Sequence, residues 1–265
     1  MKTQEIYQVD AFASELFRGN PAAVCILEQW LPVSLMQAIA SENNLSETAF
    51  AVPEGESTYA IRWFTPENEV ALCGHATLAT AHVLFETREP QAQELRFQSR
   101  ERGALRVRRK GEWLELDFPA ERPREAKMPQ GLAAALGKMP DACYKGLTDY
   151  MLVYPDQETI ESLDPDHYSL GKIDCRGVIV TAPGVEADFV SRFFAPRCGV
   201  PEDPVTGSAH TLLIPYWSEE LGKETLLARQ LSRRGGELQC QDRGQRVGIA
   251  GRAITYMKGE IYLPE

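Results

Sequence analysis

The sequence predicts an α/β protein built twice over, and three observations carry that prediction. One segment recurs at half the chain length, both copies order their elements as strands, helix and strands, and a proline-rich stretch separates them. Val52 to Pro66 aligns without a gap, at an offset of 130, with Ala182 to Pro196. Pro53, Glu56, Arg62, Phe64 and Pro66 recur as Pro183, Glu186, Arg192, Phe194 and Pro196. After a three-residue insertion the offset becomes 133, pairing Gly74-His75-Ala76 with Gly207-Ser208-Ala209 and Ser99, Arg100, Gly103, Leu105 and Gly111 with Ser232, Arg233, Gly236, Leu238 and Gly244. A period of this length means two domain-sized units, because solenoid repeats are far shorter.

The elements follow in order. Thr48 to Val52, Tyr59 to Phe64, Gly177 to Ala182 and Asp188 to Phe194 are β-branched or aromatic runs bounded by Pro and Gly, which reads as strand. Ala76 to Glu86 and Thr211 to Leu221 are apolar on all sides and follow a glycine, which reads as a helix buried in its own unit. Strands return at Ala104 to Arg108 with Glu112 to Phe118, and at Leu238 to Gln241 with Arg246 to Ile249. Turns at Lys110-Gly111 and Arg243-Gly244 join them. Pro119 to Pro129 is the expected linker, which places the first lobe at 1–118 and the second at 119–251. The tail Ala253 to Leu263 shows a hairpin-like pattern around Lys258-Gly259; residues 252–265 are expected to cross back and complete the first lobe.

Composition removes several classes of function. A net charge of -10 opposes binding to nucleic acid or an anionic membrane, since a phosphate-binding surface needs clustered Lys and Arg. The dense basic run Arg100 to Lys110 alternates charge with Leu105 and Val107, as the wet face of a strand does. Six cysteines lie scattered without a CxxC pair, so neither a zinc ribbon nor a dithiol redox site is indicated, and a reducing cytoplasm is the expected setting. No apolar run approaches the length that spans a bilayer. Without a His-x-x-x-His motif or clustered carboxylates, no metal is expected.

Duplication builds a pseudo-twofold cleft, and ligands favour places where domains meet. Function should then appear as a departure from symmetry. Gly74-His75 and Gly207-Ser208 each open a predicted helix, where unpaired backbone N–H groups attract carboxylate or phosphate oxygens; a plain structural turn is the alternative. Glu47 stands before an apolar strand and faces Gly177 at the offset of 130. Partial burial there would raise its pKa and let it move a proton near neutrality, against the reading of a solvated loop glutamate. Asp203 lies in the loop carrying the insertion and has no clear counterpart; it reads either as a group that binds an amine or shares a proton with His75, or as a turn initiator. His75 reads as a cap or buried side chain as readily as a catalytic group, and His82 reads as structural. Cys73 precedes the first helix and is matched to Thr206, so a symmetric pair of cysteine bases is not available.

At four motifs the chain resembles the phenazine biosynthesis PhzF-like family: Gly19 to Val24, Ser46 to Phe50, Arg62 to Pro66 with Leu72 to Thr77, and Glu202 to His210. That resemblance implies the diaminopimelate epimerase-like fold, two pseudo-symmetric lobes each wrapping a mixed, largely antiparallel sheet around a central helix. It also implies a homodimer and no cofactor. In the family the glutamate at the position of Glu47 is the general acid/base, and the residues at His75, Asp203 and Ser208 line the substrate site. The related epimerases place one catalytic cysteine in each lobe, which this chain does not. The expectation is therefore a cofactor-independent isomerase of a small carboxylate, with Glu47 as the catalytic group and Gly74, His75, Asp203, Gly207 and Ser208 binding substrate. An amino-acid racemase using Cys73 and a non-catalytic binding protein are the alternatives.

Overall fold

The computed structural model describes residues 2–264 and divides the chain into two compact units, 1–117 with 250–265 and 118–249. In chain order the first part runs β1 (Lys2–Ala11), β2 (Asn20–Ile26), α1 (Val33–Asn43), β3 (Glu47–Gly55), β4 (Thr58–Phe64), β5 (Glu69–Val70), α2 (Gly74–Thr87), β6 (Glu94–Ser99), β7 (Gly103–Lys110) and β8 (Trp113–Pro119). There follow β9 (Arg124–Glu125), α3 (Leu132–Leu136), β10 (Ala142–Lys145), β11 (Asp149–Val153), α4 (Gln157–Glu161), α5 (His167–Leu170), β12 (Gly177–Pro183) and β13 (Phe189–Phe194). The chain closes with α6 (Gly207–Leu221), β14 (Thr225–Gln230), β15 (Gly236–Asp242), β16 (Arg246–Gly251) and β17 (Ala253–Leu263).

Both units pair their strands by one rule. In the first, β2 runs parallel to β3, β3 antiparallel to β4, β4 parallel to β6, and β6 antiparallel to β7. In the second, β11 runs parallel to β12, β12 antiparallel to β13, β13 parallel to β14, and β14 antiparallel to β15. Each parallel step from β4 to β6 and from β13 to β14 needs a crossover, and α2 and α6 supply it. The sheets are mixed and largely antiparallel, as the family resemblance implies, each with the one long buried helix that the sequence predicts.

The expected helices begin earlier than the periodicity suggests, at Gly74 and Gly207. Helix α2 buries ten residues, including Ala76, Ala79 and Ala81, whose small side chains let the helix axis lie close to the strands. Thr77, Thr80 and Thr87 satisfy their hydroxyls by donating to the carbonyls of Cys73, Ala76 and Val83, at 2.6, 2.7 and 2.6 Å. Helix α6 contains Pro215, which cannot donate to the carbonyl of Thr211; the backbone N–H of Glu121 takes that acceptor at 2.9 Å. Gly222, with φ of 62°, ends α6 in the left-handed conformation.

Three expectations need correction. Lys258-Gly259 makes no hairpin: β17 is one continuous strand lying antiparallel to β1, with Ile6 opposite Gly259 and Lys2 opposite Leu263. A ten-residue partner outweighs a local turn signal, and Leu263 joins Ile6, Cys25, Met36, Phe50 and Phe64 in one core. The stretch 119–129 includes the short strand β9, which pairs with β10. Helix α1 lies outside the expected elements, although Met36, Ile39 and Ala40 follow helical spacing and are all buried.

The duplication extends to a scaffolding device. Arg62 binds Glu69 through two hydrogen bonds of 2.7 and 2.6 Å and lies over the Phe64 ring at 5.3 Å. Arg192 binds Glu202 at 2.7 and 3.1 Å and lies over Phe194 at 4.9 Å. Planar forks of this kind fix a loop to a strand.

Candidate active site

Glu47 is the first residue of β3, where Ala22 of β2 and the Thr48–Phe64 pair of β3 and β4 hold its backbone on both sides. The chain reaches it from α1 through Asn44, whose left-handed φ of 50° turns the backbone into the strand. Cys73 precedes α2 in extended conformation, and Gly74 and His75 are the first two helical residues. The two elements bring three side chains together. Nε2 of His75 lies 3.1 Å from Oε2 of Glu47, and Sγ of Cys73 lies 3.5 Å from Nδ1 of His75.

Electrostatics differ from the sequence expectation in one respect. Burial does push the Glu47 carboxyl up, but the charge of His75 and hydrogen bonds from His75 and Cys73 outweigh it, and the pKa falls below its ordinary value. Burial pulls His75 down, yet its interactions with Cys73 and with the Glu47 carboxylate lift it well above the usual imidazole range. The Cys73 thiol is pushed up to about 11, chiefly by burial. The shifts favour a carboxylate beside an imidazolium for Glu47 and His75 and a thiol for Cys73. Glu47 is ionised because it has a cation beside it, and the expected raised pKa is corrected accordingly. Oε2 of Glu47 is buried and lies against Nε2 of His75, so the two form a close ion pair.

Glu47, Cys73 and His75 are also the one group of metal-binding side chains brought together among the described residues, their donor atoms all within 4.8 Å. The sequence offered no metal motif because the three come from two elements separated by 26 positions.

The equivalent point of the second unit is built differently. Gly177 opens β12 where Glu47 opens β3, and a Cβ there would fall 2.2 Å from the Phe193 ring. No side chain fits. Gly207 and Ser208 open α6 as expected, with Thr206 preceding the helix where Cys73 precedes α2. The N–H of Thr206 donates to Gln230 at 2.9 Å, and its hydroxyl donates to the carboxylate of Asp203. Asp203 gains a counterpart: its N–H donates to the carbonyl of Phe193 as Val70 pairs with Trp63, so the insertion lies earlier, between Pro196 and Glu202. His210, buried, places Nδ1 2.8 Å from the Thr206 carbonyl, and burial lowers its pKa to about 4, which makes it a neutral structural side chain. His82 in the first unit contacts Thr255 at 3.1 Å.

Sequence reasoning missed Arg176 and Asp149. Arg176 precedes Gly177 and donates to both oxygens of Asp149, with Nε to Oδ1 at 2.8 Å, and to Ser208 Oγ at 3.1 Å. The available signal was position: both flank the glycine that replaces Glu47.

With this geometry in view, the chain matches the family model described as phenazine biosynthesis-like protein over residues 9–259. It is 55% identical over 260 residues to an uncharacterized isomerase of Pseudomonas aeruginosa, covering 98% of each chain. It is 44% identical to phenazine biosynthesis-like domain-containing protein 2 of Mus musculus, covering 97% of this chain and 98% of that one. The crystal structure of a phenazine biosynthesis protein of the PhzF family from Enterococcus faecalis superposes with a TM-score of 0.96 at 50% identity, covering 99% and 100%. A hydroxyproline epimerase from Agrobacterium vitis superposes at 0.63 with 11% identity, over 98% and 92%, which is a likeness of fold. Among the described residues no helix is long and apolar enough to cross a membrane.

Proposed function

The chain belongs to the phenazine biosynthesis-like, or PhzF-like, protein family, and from that premise we propose that it is a cofactor-independent isomerase that moves a proton on a small unsaturated or amino carboxylate. The observation that carries the reading is the Glu47–His75 contact of 3.1 Å at the meeting of β3 and α2. A half-buried carboxylate that favours its ionised form is placed to act as a general base. Glu47 takes a proton from a carbon beside an unsaturated system and returns it to another carbon on the same face. The His75 imidazolium holds Glu47 in place and keeps it ionised between turnovers. Gly74, His75, Asp203, Gly207 and Ser208 are the substrate-binding residues in this reading.

The test is a screen of small unsaturated and amino carboxylates for deuterium uptake from heavy water. The expected result is uptake by the wild type and a loss of about 10²- to 10⁴-fold in a folded Glu47→Gln variant. Undiminished exchange in that variant overturns the assignment.

One observation favours a second reading, a racemase or epimerase acting through Cys73, whose Sγ lies 3.5 Å from His75 Nδ1. Against it stand the thiol pKa of about 11 and the presence of Thr206 at the equivalent position. Cys73→Ser separates the two, since a racemase loses its activity and the glutamate isomerase keeps most of it. A binding protein without chemistry would show a ligand-induced melting shift that Glu47→Gln leaves in place, with no exchange.

A further inference from the structure

The second unit holds an arginine whose bonding is incomplete. Asp149 is the first residue of β11 and stands beside Gly177 in the parallel pair with β12, so the Arg176 side chain reaches it across one strand spacing. Asp149 is buried, with a side chain 8% exposed, whereas the Arg176 side chain is 38% exposed. The guanidinium lies over the Phe193 ring at 5.3 Å. Its inner edge is anchored and its outer edge reaches solvent.

Counting donors shows what the outer edge offers. A guanidinium carries five N–H groups. Nε donates to Asp149 Oδ1 at 2.8 Å, Nη2 donates to Asp149 Oδ2 and to Ser208 Oγ, and Nη1 donates to Ser208 Oγ at 3.1 Å. One Nη1 hydrogen is left without an acceptor among the described residues. Ser208 is exposed, and its Oγ receives both contacts from Arg176 while donating to no described acceptor. The outer edge therefore presents two adjacent donors, one hydroxyl and one N–H, beside a positive charge. Two parallel donors match the two oxygens of a carboxylate, the geometry for which arginine is suited. Glu121, a further carboxylate within electrostatic reach of Arg176, accepts the backbone N–H of Leu147.

Resting on the small-carboxylate reading above, we propose that Arg176, held by Asp149 and bonded to Ser208, is the side chain that receives the substrate's carboxylate. Asp149 is a positioning residue: it fixes the plane of the guanidinium and leaves one edge for the ligand. The assignment makes the anionic group of the substrate a requirement, so neutral amides of the same shape are rejected.

The experiment follows backbone amide and arginine Nε resonances of the full chain during titration with acetate, and with acetamide as its neutral isostere. The expected result is a saturable movement of the Ser208 amide and Arg176 Nε signals with acetate and none with acetamide. Arg176→Lys keeps the charge and loses the fork, and Ser208→Ala alters an exposed side chain and leaves the Asp149 pair intact. Both should weaken acetate binding by about tenfold or more. Equal response to acetate and acetamide, or binding unchanged in Ser208→Ala and in folded Arg176→Lys, overturns the proposal. Glu47→Gln keeps the acetate response, so failure of the glutamate assignment shows in deuterium exchange and failure of this one in the titration.

Discussion

The start of α2 and the start of α6 occupy the same place in two copies of one unit, and they hold opposite chemistry. At α2 a carboxylate on the first residue of β3 meets an imidazolium and a thiol. At α6 the first residue of β12 is a glycine pressed against Phe193, and the polar groups are an arginine, a serine and the buried aspartate that holds the arginine. One copy carries a proton acceptor and the other a set of donors. Meanwhile the Arg62–Glu69 and Arg192–Glu202 forks stay equivalent in the two copies. The forks that fix loops to strands kept their symmetry, and the polar groups at the two helix starts lost it.

The sharpest way to break that contrast is to neutralise Glu47, the proposed base. Glu47→Gln should lower proton exchange by about 10²- to 10⁴-fold while circular dichroism shows the fold retained, since an amide fills the same space; loss of the pair with His75 lowers the melting point without unfolding the chain. Equal exchange would mean that the asymmetry is not catalytic.

Next comes the scaffold. Arg192 donates to the carbonyls of Ile160 and Leu163 at 3.1 and 2.8 Å besides binding Glu202. Arg192→Ala should therefore cost roughly 3 kcal/mol, and Arg62→Ala about 1 kcal/mol less, as buried acceptors lose their donor. Urea midpoints of the two variants measure the difference.

Gly177→Ala asks whether the second copy can accept any side chain at the place of Glu47. With a Cβ 2.2 Å from the ring of Phe193 it should destabilise by about 1–3 kcal/mol, and Phe193→Leu in the same chain should recover part of that loss. Thermal unfolding of the single and double variants decides it.

The pH dependence of the first copy is a smaller effect with a defined sign. Glu47 lies below its ordinary 4.5, so its contribution to stability is present above that value and is lost as pH falls through the folded pKa. His75 lies above its ordinary 6.5, so its contribution is full below 6.5 and is lost as pH rises through the raised value. Denaturant midpoints should hold steady between those ordinary values and decline on both sides, and His75→Gln should abolish the alkaline decline. Smallest of all, Cys73→Ser should change exchange by less than about tenfold, a neutral donor replacing a neutral donor.

Much of this was legible in the sequence, for reasons that differ by residue. The repeat exposed the order of strands, helix and strands because Phe64 and Phe194, or Arg62 and Arg192, do the same packing twice. Glu47 and His75 stood out through their mismatch with Gly177 and Ser208. Their pairing did not, since 28 residues separate them and proximity arises only when β3 and α2 are laid together. The ionisation of Glu47 was misjudged because burial is visible in a sequence pattern and a neighbouring cation is not. Arg176 stayed hidden because Asp149, its partner, lies 27 residues earlier on a strand whose register no local pattern reveals.

The long pairing of β1 with β17 has a consequence for how the molecule is made. The antiparallel neighbour of Lys2 to Ala11 is synthesised some 250 residues later. The second unit, continuous from 118 to 249, needs no later segment, whereas the first unit has an open edge and a core lacking Leu263 until residues 253–263 are made. Contacts this distant in sequence are slow to form, and an unpaired edge is prone to pair with other chains. Synthesis therefore completes the donor-bearing half first, and the half that carries Glu47 gains its closing strand only when residues 253–263 emerge.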